Sequence, residues 1–187
     1  MATTSIAFTI RESALGLLLV AATERGVCHV RFGEREDALV AVLRAELPAA
    51  HLVRDDARLA PWADALVRAA GGGGGAEGVP LDVAGSRFQR RVWDALRAIP
   101  RGHTLRYAEV AEALGAPTAA RAVARACAAN PVPLAVPCHR VVPKLGAPGG
   151  YRYGSWRKEA LLAGEQSVRS PEPARAATAR PAAAAAD

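Results

Sequence analysis

Residues 107–142 read YAEVAEALGAPTAARAVARACAANPVPLAVPCHRVV, and this stretch decides how the second half of the chain folds. Tyr107–Leu114 reads as a short helix, Gly115-Ala116-Pro117 breaks it, and Thr118–Ala129 forms a second. Two short helices around a Gly-containing turn outline a helix-turn-helix. Asn130-Pro131-Val132-Pro133 ends the second helix, because each proline removes a backbone donor and fixes φ. Leu134-Ala135-Val136 then predicts a short buried strand or extended segment, which delivers Pro137-Cys138-His139-Arg140.

Working outward, the pattern from Leu81 onward is mostly helical. Ser86 is a candidate N-cap, and Phe88, Val92, Trp93, Leu96 and Ile99 form an apolar stripe that stops at Pro100. Beyond the cysteine, Pro143–Gly154 is a loop rich in Gly and Pro, followed by a last helix from about Ser155 to Ala163. From Ser167 the chain is Ala, Pro and Arg with almost nothing to bury, which predicts a disordered tail.

The first half has a different grammar. Ser5–Ile10, Leu17–Ala22 and Gly26–Phe32 are strand-like and separated by short turns, which predicts an antiparallel meander. Glu36–Leu47 has helical spacing and stops at Pro48, and Arg58–Ala70 is a second helix with Trp62, Leu66 and Val67 towards one side. Gly71–Gly75 has no side chains to bury and reads as a flexible linker. The expected fold class is α+β. Residues 1–79 make an N-terminal α/β domain with a Gly-rich linker, 80–166 a helical domain, and 167–187 the tail.

No apolar run approaches the roughly 20 residues of a membrane helix, and the first residues lack a basic region followed by an apolar stretch. The expectation is a cytoplasmic protein without a membrane partner. Cys28, Cys127 and Cys138 are an odd set without Cys-x-x-Cys spacing, so they read as reduced thiols, with no metal site. The net charge of +6 is unevenly spread. Residues 1–80 carry a net −2, residues 81–166 a net +7, and the remainder +1. A basic middle block suits a polyanion, since arginines and lysines that neutralise phosphates release condensed counterions. In the second helix of the pair, small side chains such as Ala122 let the backbone approach a duplex, while Arg121 and Arg125 supply charge.

A cysteine becomes nucleophilic when its thiolate is stabilised, and a histidine oriented by a carboxylate can do this. Cys138 and His139 supply a candidate pair and Glu165 a candidate third member. Their adjacency is not itself a contact, because neighbours in an extended segment point to opposite faces. Cys127, in an Ala-rich helix, reads as a small buried residue, and Cys28 as strand core.

Asn130–Val142 closely resembles the active-site signature of the methylated-DNA–protein-cysteine methyltransferases. Further landmarks stand in the same order: Phe88-Gln-Arg-Arg-Val-Trp93, Ile99-Pro-Arg-Gly-His-Thr104, Tyr107 and Arg121-Ala-Val. Gly150-Tyr-Arg-Tyr-Gly154 and Arg157-Lys-Glu-Ala-Leu-Leu162 are most similar to the C-terminal domain of the bacterial Ada protein. The resemblance is dense from about Leu81 to Glu165 and looser over residues 5–70.

That resemblance implies a ribonuclease-H-like α/β domain followed by a helical domain bearing the helix-turn-helix. It implies direct repair of double-stranded DNA, by irreversible, single-turnover transfer of an alkyl group from O6 of guanine to Cys138. O4 of thymine is left open as a second site. His139 would act as base through a water, Glu165 would orient its ring, and Asn130 would brace the turn. Tyr107 would donate to the leaving base, and Arg121 would enter the duplex where the damaged nucleotide has flipped out. Val141, Tyr151 and Arg152 would line the base pocket. No cofactor is implied, and the expected state is a monomer. Arg106, and Arg152 in place of a hydroxyl, depart from part of the family. The alternatives are a non-catalytic alkylated-DNA-binding protein, a plain helix-turn-helix module and a cysteine hydrolase.

Overall fold

The computed structural model describes residues 4–144 and 149–167. Its N-terminal layer is a four-stranded sheet of β1 (Ser5–Ser13), β2 (Gly16–Ala22), β3 (Val27–Gly33) and β4 (His51–Arg54), ordered β3-β2-β1-β4. The first three strands form the expected antiparallel meander. Alternation along β2 divides its apolar run between the two faces of the sheet. Leu18, Val20 and Ala22 enter one buried cluster, while Leu19 and Ala21 enter the other. Helix α1 (Glu36–Glu46) covers one face through Leu39 and Leu43. Helix α2 (Asp56–Ala70) covers the other through Leu59, Ala63 and Leu66.

Nothing in the sequence pattern marks β4, which pairs parallel to β1 with Ile6 opposite Leu52. His51-Leu-Val-Arg is short and mostly exposed, so no alternation betrays it, and main-chain pairing at the sheet edge makes it a strand. The glycine run is also not the flexible linker expected. Gly73 N–H donates to the Arg68 carbonyl at 2.8 Å, and Gly72 has φ +84° and packs directly on Gly164. A Cβ on Gly72 would lie 2.8 Å from the Gly164 backbone, so close backbone approach, not slack, explains the glycines there.

In the second half, α3 (Arg87–Arg97) begins at a capping box. Ser86 Oγ accepts from Gln89 N–H at 3.2 Å, and Gln89 Oε1 accepts from Ser86 N–H at 2.8 Å. After β5 (Leu105–Arg106) come α4 (Tyr107–Ala113) and α5 (Ala120–Ala128). β6 (Val141–Val142) pairs parallel with β5, and α6 (Ser155–Ser167) ends the described chain. Helix α6 runs one turn past the expected Ala163, which places Glu165 inside it. The tail expected to be disordered lies, after Ser167, outside the described residues, as do residues 145–148 of the Gly/Pro loop. No helix among the described residues is long and apolar enough to cross a membrane.

One apolar cluster continues from Leu18 and Leu66 through Val92, Trp93 and Val123 to Val141. Polar contacts tie the sheet to the second half as well. Val30 N–H donates to the Pro131 carbonyl at 2.8 Å, and Tyr153 OH donates to the Val30 carbonyl at 3.2 Å. Arg157 Nε donates to the Leu15 carbonyl at 2.8 Å, while its Nη2 pairs with Glu34. The sheet is therefore the floor against which the Cys138 turn and the Tyr151–Tyr153 segment are held.

Trp93 fastens α3 to the end of α5, its Nε1 donating to the Ala126 carbonyl at 2.9 Å. Carbonyls in a last helical turn lack intrahelical partners, and this one is buried. Trp93→Phe removes the donor, so urea unfolding should show a loss of about 1–3 kcal/mol. An unchanged midpoint would mean that the indole contributes through its apolar body alone.

Candidate active site

The turn after α5 is built by Asn130. Its Nδ2 donates to the Val136 carbonyl at 2.8 Å and to Cys138 Sγ at 3.2 Å, while its Oδ1 accepts from Val132 N–H at 3.0 Å. Leu134-Ala135-Val136 is consequently a tight turn and not the expected strand. Val136 N–H reaches back to the Val132 carbonyl at 3.0 Å, and Leu134 sits at φ 75°. Three prolines in seven residues leave few donors for a ladder, so the Asn130 side chain supplies the bonds. It also offsets the roughly 1–2 kcal/mol that a left-handed leucine costs.

Cys138, His139 and Arg140 form a 3-10 turn and are all buried. His139 Nε2 lies 2.8 Å from Glu165 Oε1 on α6. With that nitrogen donating to the carboxylate, Nδ1 carries the lone pair. Nδ1 is buried and has no hydrogen-bond partner among the described residues. Burial lowers the pKa of His139, against the opposing pull of Glu165.

Glu165 also accepts from Arg140, through Nη2 at 2.8 Å and Nε at 3.0 Å, and from Gly102 N–H at 3.2 Å. Burial by itself would raise this carboxyl, but the bonds from His139 and Arg140 hold its pKa at about 2. Arg140 in turn donates to the Ile99 carbonyl at 2.6 Å. Sequence reasoning assigned Arg140 no role. The signal available was its position inside the apolar run Val136–Val142, where an arginine must find an anion.

Cys138 opens into a cavity of about 420 Å³ lined by Tyr107 of α4, Ala124, Cys127 and Ala128 of α5, Asn130, and Gly150–Tyr153. Tyr107, Tyr151 and Arg152 line this cavity together with Cys138, and the Tyr151 hydroxyl is buried without a partner among the described residues. Arg152 also reaches Glu46 of α1 at 3.7 Å. Val141 is not among the lining residues. It is fully buried, and its carbonyl accepts from Lys158 Nζ at 2.7 Å. A second cleft of about 390 Å³, lined by Asp94, Arg97, Pro137 and Arg140, includes neither Cys138 nor His139.

Cys28 is strand core, bonded to the Ala21 carbonyl, and burial pushes its pKa up to about 11. Cys127 differs from expectation in lining the cavity, yet burial pushes its pKa up to about 12, which makes it a poor nucleophile. Burial also raises Cys138, opposed by the Asn130 bond and the charge of Lys158. Arg121 and Arg125 project from the exposed side of α5, lining a shallow groove with Thr118, Ala122 and Ala124. Ala124 lines both this groove and the Cys138 cavity.

Residues 87–167 match the family model described as 6-O-methylguanine DNA methyltransferase, DNA binding domain. The inducible methylated-DNA–protein-cysteine methyltransferase of Bacillus subtilis is 38% identical over 152 residues, covering 81% of this chain and 85% of its own. The chain belongs to the methylated-DNA–protein-cysteine methyltransferase family. The "Regulatory protein ada" of Salmonella typhimurium is 42% identical over 84% of this chain, but the match spans only 45% of that relative's length. The solved Mycobacterium tuberculosis OGT in complex with DNA superposes with a TM-score of 0.72 at 35% identity, covering 87% of this chain and 93% of that one. The mixed α/β architecture of this methyltransferase-family chain is thus shared along nearly its whole described length.

Proposed function

We propose that the protein repairs alkylated DNA directly, taking an alkyl group from O6 of guanine onto Cys138 Sγ. One observation carries this reading. Ala124 of α5 lines both the cavity that holds Cys138 and the groove formed by Arg121 and Arg125. A base leaving a duplex docked on α5 would enter that cavity directly.

Each residue then has a task. His139 Nδ1 takes the thiol proton through a water, and Glu165 stabilises the imidazolium that results. The thiolate pair forms the S–C bond while the C–O6 bond breaks and its pair passes to the guanine. Tyr107 donates to the ring as that charge develops. Tyr151 and Arg152 flank the base. Burial raises the thiol pKa, and the Asn130 bond opposes it.

An alkylated oxygen inside a stacked duplex is out of reach of a protein thiolate, so the nucleotide is flipped out at a cost of a few kcal/mol. Helices α4 and α5 serve as the helix-turn-helix, and the N-terminal sheet with its two helices as the ribonuclease-H-like unit. The protein works as a monomer without a cofactor, because the nucleophile is its own side chain. A thioether has no easy leaving path, so each molecule repairs one lesion. Duplex DNA containing O6-methylguanine should raise the intact protein mass by one methyl in place of one hydrogen, and repair should plateau at about one lesion per molecule. DNA binding without a mass change would instead mark a lesion-binding protein that transfers nothing.

Arg121 separates insertion from charge attraction. If it fills the space of the flipped nucleotide, its planar guanidinium stacks and hydrogen-bonds where an ammonium cannot. Arg121→Lys should then slow duplex repair by about tenfold or more, a loss that shrinks on free modified base. Wild-type duplex rates for the lysine variant would reduce Arg121 to a phosphate contact.

A further inference from the structure

We propose that Lys158 is the counter-ion that stabilises the thiolate of Cys138. The inference rests on Cys138 being the acceptor, and it assigns a residue to which that chemistry has so far given no part.

Lys158 is 1% exposed and heads the fully buried side chains by size. Its ammonium donates to the Val141 carbonyl at 2.7 Å, and none of the ion pairs among the described residues includes it. Taking an ammonium out of water costs several kcal/mol, so a buried one without an anion is an unbalanced charge. The Val141 carbonyl lies three residues beyond Cys138 on the same buried turn. Burial lowers the pKa of Lys158, opposed by the charges of Cys138 and Cys127, and burial raises both thiols, opposed by the charge of Lys158.

The other cations near the site are already committed. Arg140 is taken by Glu165, Arg157 by Glu34, and the exposed Arg152 faces Glu46. The remaining titratable groups coupled to Cys138 are Tyr107 from α4, Cys127 from α5, and Tyr151 and Tyr153 from the loop. Each of these is neutral or, when ionised, negative. His139 also feels Lys158 and is uncharged until it accepts a proton.

Helix geometry explains how one element serves both halves of the chemistry. Positions 158 and 165 are two turns apart and share a face of α6. That face presents a carboxylate to His139 and an ammonium to the Val141 carbonyl, three residues beyond Cys138. Ionisation of the thiol therefore creates two charges, each meeting its opposite on the same helix.

The test separates charge from scaffold. Lys158→Gln keeps a donor for the Val141 carbonyl but removes the charge, and Lys158→Arg keeps the charge. Alkylation of Cys138 by iodoacetamide, read by peptide mass across pH in the intact, folded protein, reports the thiolate without DNA. Lys158→Gln should slow it about tenfold at neutral pH, the loss of thiolate expected when a thiol pKa rises by about one. The gap should close in alkali, where the wild-type lysine also loses its charge and thiolate forms unaided. Lys158→Arg should stay near wild type at neutral pH. Methyl transfer from O6-methylguanine DNA should follow the same order. A wild-type pH profile for Lys158→Gln, or an arginine variant as slow as the glutamine one, would overturn the proposal. Shifted iodoacetamide profiles without methyl transfer by wild-type protein would instead overturn the repair reading and leave the counter-ion in place.

Discussion

Cys138→Ser is expected to abolish the proposed methyl transfer while leaving binding to lesion-containing duplex DNA close to wild type. The substitution keeps a small side chain in the cavity, still beside Asn130 Nδ2, which lies 3.2 Å from the sulfur. It replaces a sulfur that can become a soft anion, a thiol having an unperturbed pKa of about 8.5, with a hydroxyl that stays protonated near neutral pH. Arg121 and Arg125 remain on the exposed face of α5, so the electrostatic part of binding is unaltered. Intact-mass measurement after incubation with O6-methylguanine duplex, together with a gel-shift assay, checks both halves. Cys28→Ser should still transfer, being strand core remote from the cavity. Alkyl mapped to Cys127 would sink the assignment, as Cys127 lines the same cavity and is disfavoured only by its raised pKa.

Glu165→Gln is expected to lower both stability and transfer, through one lost charge. The carboxylate is the shared acceptor for His139 and Arg140, so an amide leaves a buried guanidinium without its anion. Removing one partner of a buried ion pair costs about 3–5 kcal/mol. The sign of the pH dependence follows from the depressed pKa of about 2. A carboxyl held below its unfolded value of about 4.3 contributes stability that is complete above that value and fades as pH falls towards 2. Wild type and variant should therefore differ most above about pH 5 and converge in acid. Transfer per folded molecule should fall as well, and more at neutral than at alkaline pH, because His139 loses the anion that stabilises its protonated form. An equal slowdown at every pH would leave Glu165 a purely structural anchor for Arg140.

Much of this was written in local sequence. Ser86 announced the start of α3, the apolar run Leu17–Ala22 announced a strand, and Gly115-Ala116-Pro117 announced the break before α5. Cys138, His139, Glu165, Asn130 and Tyr107 were legible because the residues around them match a known signature in order and spacing. These features depend on neighbours within a few positions, where propensity, capping and periodicity act directly on the chain.

What sequence could not supply were contacts whose partners lie far along the chain. Strand β4 exists because β1 offers it an edge. The glycines at 71–75 are firm rather than slack because Gly164 of α6 passes against Gly72. Leu134-Ala135-Val136 turns instead of extending because Asn130 reaches across it. Arg140 and Lys158 counted in the sequence as part of a basic surface, yet both are buried. Net charge records how many cations a segment carries, while burial and pairing decide what each one does. Tertiary packing alone placed Arg140 on Glu165 and Lys158 on the Val141 carbonyl, since in a low-dielectric interior a charge is tolerated only where other groups, distant in sequence, complete it.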